Sequence, residues 1–344
     1  MTREPGALLR HRCTVSRMQA TKVNVYAENH GWLFEDIKQQ FKTLDCIPGF
    51  EVSVSDRPLA TADAWVALRT KEVAVSPDIR RTVVCVHDLF SEDGMYRQGG
   101  SRQALRDAAA LVLSHPDQRR ILIEQGISLQ GVPILERPLG ALTIFTPRQR
   151  ESDRFSVGWV GRAHARKRLG WFVEAIQGLG LGPAELRVAM IGAGLGETVA
   201  SLRATGVDCS HYDRQAYAIS QYPQLYQGLD CIVITSSTEA GPLPLFEALA
   251  SGLPAVSTPV GWAPYFSQKA PRYVRLANNP GEITDHLKQL KSQKEEMFKE
   301  RFEIAGLVSE WSLDTWLLAV LELAGVIGRQ GANGSERHDR TELF

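Results

Sequence analysis

Short β-rich apolar runs alternate with helical stretches twice along this 344-residue chain, and few folds accommodate that order. From Lys22 the sequence reads strand KVNVYAE, helix WLFEDIKQQF, strands FEVSVS, AWVALRT and TVVCVHD, a helix near Ser101 to Asp107, strand ALVLS, helix PDQRRILIEQG and strand VPILE. Such strands separated by helices build a parallel sheet with right-handed crossovers. The polar stretch PRQRESD, Pro147 to Asp153, breaks the pattern. It then restarts with FSVGWVG, helix GWFVEAIQGL, strand LRVAMIG, a helix to about Ala204, a short strand near Val207, helix AISQYPQLYQGL and strand CIVIT. A helix holding Glu247, strand PAVST, a short helix after Pro264, strand YVRLA and one long helix over GEITDHLKQLKSQKEEMFKERFEIAGLV complete the second round.

The expected class is α/β: two Rossmann-like, doubly wound parallel-sheet domains, residues 22–146 and 154–308, joined by a linker at 147–153. Both sets of strand ends then face one interdomain cleft, where such folds bind ligands. The amphipathic stretch WSLDTWLLAVLELAGV predicts a last helix, within 309–327, that crosses back to brace the first domain. Residues 1–21 read as a basic arm, and the polar tail 328–344 is expected to be disordered.

Lys plus Arg equals Asp plus Glu at 39 each, so no global field recruits nucleic acid or anionic lipid. Any anion site must be local. Cys13, Cys46, Cys85, Cys209 and Cys231 are widely scattered without metal-ligand spacing, which fits a reducing cytoplasm and suggests no bound metal. No apolar run approaches the length of a membrane span, and the N-terminus lacks the apolar core of a secretory signal. A cytoplasmic protein is expected. The arm carries Arg3, Arg10, Arg12, Arg17 and Lys22 against Glu4; it reads as frayed chain or as a weak membrane-surface foot, weak because no apolar stripe accompanies the charge.

Candidate chemistry concentrates in the second half. In EAGPLPLFEALASGLPAVSTPVG, Glu239 sits at the mouth of a buried strand and Glu247 about one turn inside the following helix. Backbone N–H groups between them, at Gly241 and Leu243 among others, are placed to meet an anion. GWVGRAHARKRLGWF ends a strand with Gly161 and supplies Arg162 and Lys167 before the next helix. A fork and a point charge together suit a diphosphate; taken alone, such a run is more often a solvated basic turn. The turn IGAGLGE carries Gly192, Gly194 and Gly196, but the third glycine of a dinucleotide fingerprint would fall at Glu197, so nicotinamide or flavin binding is disfavoured. His87 and Asp88 end a first-half strand, and a pair of this kind serves either as a structural hydrogen bond or as a reach into the cleft. Gly31, in ENHGWLFED, either admits a phosphate or acceptor or relieves a turn. There is no HExxH pair, no Ser nucleophile elbow and no Walker loop.

Together these residues resemble glycosyltransferase family 4, retaining nucleotide-sugar enzymes of GT-B architecture. The likeness is strongest from Phe155 to Gly261, with the glutamates at Glu239 and Glu247, the cations at Arg162 and Lys167, the first-domain histidine at His87 and the glycine turn at Gly192. The resemblance implies an N-terminal acceptor domain and a C-terminal donor domain. It implies that Arg162 and Lys167 neutralise the donor diphosphate, that Glu239 contacts the transferred sugar, that Glu247 accepts from the ribose, and that His87 meets the donor sugar from the opposite domain. Gly31, Gly192, Gly241 and Leu243 join these as donor contacts. No cofactor beyond a UDP- or GDP-linked sugar is implied, and the acceptor would be a glycan or a lipid-linked hydroxyl in bacterial surface polysaccharide or glycolipid assembly, at the inner face of the cell membrane. The chain departs from the pattern where Pro242 removes a backbone N–H, and where WAPYF replaces the acid after the PVG turn. Two other functions fit the same two-domain plan: a catalytically idle sugar-nucleotide-binding partner subunit, and a sugar-nucleotide epimerase.

Overall fold

The computed structural model of the chain describes residues 20–28, 33–43, 47–87, 99–149, 153–213 and 219–332. Residues 1–19 of the basic arm, Gly31, Asp88 and the end of the tail lie outside them, and the last residue of the expected arm, Thr21, opens the first strand.

The first lobe contains β1 (Thr21–Tyr26), α1 (Leu33–Thr43), β2 (Phe50–Ser55), β3 (Ala64–Ala67), β4 (Thr82–Val86), α2 (Gly99–Asp107), β5 (Ala110–Leu113), α3 (Gln118–Glu124) and β6 (Ile134–Glu136). Its strands form one parallel sheet in the order β2-β1-β3-β4-β5-β6. The continuous apolar runs follow from burial on both faces. Val23, Val25, Val66, Val83, Cys85 and Val112 pack on one side, and Tyr26, Trp65, Val84, Val86, Leu111 and Leu113 on the other.

The second lobe runs β7 (Phe155–Val160), α4 (Leu169–Gln177), β8 (Leu186–Ile191), α5 (Gly196–Ala204), β9 (Asp208–Tyr212), α6 (Tyr222–Gln227), β10 (Cys231–Ile234), α7 (Leu243–Ala250), β11 (Ala255–Ser257), α8 (Ala263–Lys269) and β12 (Val274–Leu276). The parallel order is β12-β11-β10-β7-β8-β9. Strand order reverses between β7 and β10, so the loops leaving those two strands open into the switch-point crevice.

The long helix expected after β12 is three segments, α9 (Pro280–Ser292), α10 (Lys294–Lys299) and α11 (Arg301–Gly306). Arg275 donates to Gln289 and Gln293 at the first break, and Arg272 pairs with Glu296 and Glu300 at the second. The bends let Leu290, Met297 and Ile304 all reach the core as the segment curves round the lobe.

The chain then crosses back as α12 (Leu313–Ala332), which lays Trp316, Leu317, Val320, Leu321 and Ala324 on the first lobe's sheet, against β1, β3 and β4. This helix passes the expected end at 327 because Ile327 and Gly328 continue the buried stripe, Gly328 lying against Thr21. The two crossing strands of chain are tied together: Leu313 N donates to Ala141 O at 2.8 Å, and Arg137 donates to Thr315 Oγ1 at 2.8 Å and Glu310 O at 2.5 Å. The polar run after Pro147 begins with a buried residue. Arg148 donates from Nη1 to Asp230 Oδ1 at 2.5 Å and to Leu229 O at 2.9 Å, which anchors this stretch to the second lobe.

Candidate functional site

At the switch point, the chain leaving β7 passes through Gly161, exposed Arg162 and a single 3₁₀ turn, Ala165–Lys167, before α4. Contacts from Thr235 and Ser237 fix that turn to the end of β10. Thr235 Oγ1 donates to Lys167 O at 2.6 Å, Ser237 N donates to Arg166 O at 2.7 Å, and Thr235 in turn accepts from Trp159 Nε1 at 3.2 Å. Arg168 takes a left-handed conformation, φ 46°, with its guanidinium over the Trp171 ring, and this sharp corner starts α4. The result is a short lever that carries Lys167 across the crevice.

Lys167 Nζ meets Glu239 Oε1 at 2.5 Å, and Ser236 Oγ donates to the same oxygen at 2.8 Å. Both charged side chains are mostly buried, 15% and 11% exposed, so the attraction is stronger than between surface charges and less screened by salt. The pair joins the β7 and β10 loops over the crevice between them.

Glu247 lies inside α7 at 7% exposure, and its Oε2 accepts from Tyr226 OH at 2.5 Å. Burial and the adjacent carboxylate push the Tyr226 phenol well above its ordinary pKa, so it remains a donor.

Gly192 shows why the IGAGLGE turn needs its first glycine. With φ 142°, an added Cβ would stand 1.9 Å from Gly161 O, so a side chain there would drive the β7 and β8 ends apart.

The histidine singled out in the sequence stands on the first lobe. His87 follows β4, its Nδ1 2.7 Å from Ser114 Oγ, its ring between Phe34 (5.5 Å) and Trp316 (5.9 Å). Burial lowers its pKa to about 4, so the imidazole is neutral near pH 7. Among the described residues, neither its Nε2 nor Trp316 Nε1, both buried, has a hydrogen-bond partner.

Of the residues singled out in the sequence, Lys167 and Glu239 touch, Arg162 stands on the same loop as Lys167, and Glu247 is held from the core by Tyr226. Gly241 borders the first lobe: a Cβ there would be 3.4 Å from Ser114 O and 3.9 Å from Pro138 Cβ. Leu243 packs against the first lobe's core. Sequence reading missed Tyr226, Ser114 and Trp262, the last of which donates from Nε1 to Ser114 O at 2.7 Å across the lobes. For Trp262 the signal was present, as WAPYF in place of the customary acid.

Residues 154–293 match the family model described as glycosyl transferases group 1. No curated protein matches the sequence. Among solved structures, Anabaena HepE in complex with UDP and glucose superposes with a TM-score of 0.67 at 14% identity, over 88% of this chain and 98% of that one. WaaG, a glycosyltransferase involved in lipopolysaccharide biosynthesis, gives 0.63 at 14% identity, over 89% and 99%. The lipopolysaccharide outer core galactosyltransferase WaaB in its apo form gives 0.58 at 16% identity, over 88% and 99%. The chain therefore has the GT-B fold, and its second lobe resembles the glycosyl transferases of group 1.

Proposed function

We propose that this chain is a retaining, metal-independent glycosyltransferase that moves a sugar from a UDP- or GDP-linked donor to a hydroxyl of a glycan or lipid-linked acceptor. The observation that carries this reading is the Lys167–Glu239 pair across the switch point of the second lobe. An arriving diphosphate competes for Lys167, and Arg162 supplies the planar fork beside it. Glu239, released from its cation, accepts from hydroxyls of the transferred sugar. Tyr226 fixes one oxygen of Glu247 and so aims the carboxylate at the ribose. His87, neutral, meets the sugar from the first lobe as a hydrogen-bonding group.

In the reaction, the bond between the anomeric carbon and the diphosphate oxygen breaks and the diphosphate leaves with the electron pair. The acceptor oxygen bonds to the same face, and its proton passes to the departing phosphate oxygen. Two cations preorganised on the leaving group supply the stabilisation that this charge build-up needs. Lobe closure excludes water and limits hydrolysis of the donor.

The glycan setting of WaaG and WaaB supports an acceptor in surface polysaccharide or glycolipid assembly at the inner face of the cell membrane. Among the described residues no helix is long and apolar enough to cross a membrane. A panel of UDP-, GDP- and ADP-sugars, each assayed for binding, hydrolysis and transfer, tests the proposal. Turnover of at least one donor is expected; no binding to any of them by folded protein overturns it.

A further inference from the structure

We infer that Trp262 is a positioning residue that latches the two lobes together through the backbone carbonyl of Ser114, and that the same contact holds His87 in register with the second-lobe site. Its consequence for catalysis rests on the glycosyl-transfer reading; the latch itself does not.

Ser114, just past β5, is held from several sides. Its N–H donates to Gln118 Oε1 at 2.8 Å, its Oγ lies 2.7 Å from His87 Nδ1, and its carbonyl accepts the Trp262 indole at 2.7 Å. One residue of the first lobe thus joins the histidine to the second lobe. Trp262 is 8% exposed, and its indole N–H can only donate. With the lobes apart, that bond is exchanged for water; it exists as a protein contact only when they meet.

On the second lobe, Trp262 is coupled to the site. It follows Gly261, whose left-handed backbone, φ 55°, folds onto the Glu239 loop so closely that a Cβ would stand 2.6 Å from Pro242 Cδ and 3.4 Å from Glu239 O. Moving the indole therefore moves the loop that carries Glu239. The other side of the ring meets Trp311 edge to face at 4.9 Å, on the segment where the chain crosses back to the first lobe. Crossing segment, indole, Ser114 and His87 form one connected path.

Trp262→Phe keeps an aromatic ring at the position, smaller than the indole, and removes the N–H. Loss of one net hydrogen bond should lower the closed-to-open ratio by about three- to tenfold. Two measurements on the full chain without nucleotide test this, with circular dichroism as the folding control. Small-angle X-ray scattering should show a larger radius of gyration for Trp262→Phe than for wild type. Ser114→Ala, which keeps the carbonyl, should not show it, and Trp262→His, which restores a ring N–H, should return towards wild type. Imidazole ¹⁵N shifts of His87, assigned with His87→Gln, should move in both Trp262→Phe and Ser114→Ala. Scattering unchanged by Trp262→Phe, or equal opening in Trp262→His, overturns the latch. Opened lobes with unmoved His87 resonances overturn the link to the histidine. A donor panel without turnover would contradict the transferase reading and leave these results as they stand.

Discussion

Tyr226 donates its hydroxyl to Oε2 of Glu247 across 2.5 Å inside the second lobe, with the phenol fully buried and the carboxylate nearly so. A hydrogen bond to a charged group contributes about 1.5–3 kcal/mol, and removing the hydroxyl deprives a buried carboxylate oxygen of that donor. Tyr226→Phe should therefore lower stability by about 1–3 kcal/mol, read as a shifted urea midpoint. In turnover it should raise the donor KM more than it lowers kcat, because Glu247 is assigned to ribose binding. An equal fall in kcat at unchanged KM would assign Glu247 to the reacting bond instead.

Lys167 pairs with Glu239, the acid proposed to contact the transferred sugar. Lys167→Met should cost roughly two to three decades in kcat, by analogy with removal of one oxyanion donor. Single-turnover rates at saturating donor check this, since they exclude product release. A loss below fivefold would mean that Arg162 alone stabilises the leaving group.

The alternation of strands and helices was legible because both faces of each sheet are buried, which forces apolar runs such as TVVCV and CIVI. The Lys167–Glu239 meeting was legible in outline, since each residue follows a strand and neighbouring strand ends converge. What could not be read were contacts between distant segments. Trp262 and Ser114 are 148 positions apart, and neither residue type announces a partner. The breaks in the long helix after β12 fall at Gln293 and Glu300, in sequence with neither Gly nor Pro, so local propensity argues for one helix and arginines from elsewhere decide otherwise.

His87 gives a pH dependence with a definite sign. Its folded pKa, about 4, lies below the ordinary 6.5, so folding favours the neutral ring. That contribution is fully present above about pH 6.5 and is lost as pH falls towards 4, amounting to roughly 3 kcal/mol over the interval. The stability of wild type should fall more steeply than that of His87→Gln between pH 6.5 and 4, measured by denaturant midpoints at half-unit steps. Parallel curves would show that His87 titrates normally.

Arg148 is fully buried against Asp230, with its guanidinium 5.1 Å from the centre of the Phe298 ring. Arg148→Met leaves Asp230 with the Ser156 amide but without its cation. Breaking one side of a buried pair costs about 3–5 kcal/mol. Chemical unfolding followed by tryptophan fluorescence should show a loss of that size. A change below 1 kcal/mol would show that water reaches the pair.

The proposed reaction delivers a sugar from a nucleotide with its anomeric configuration kept. Proton NMR of a running reaction reads both ends at once, following the anomeric signal of the donor and that of the new glycoside in the same tube. The donor signal should decay with matching growth of a glycoside of the same anomeric configuration, and neither change should occur in Lys167→Met on that time scale. A product of inverted configuration, or a donor converted to another sugar nucleotide with no acceptor present, would contradict it.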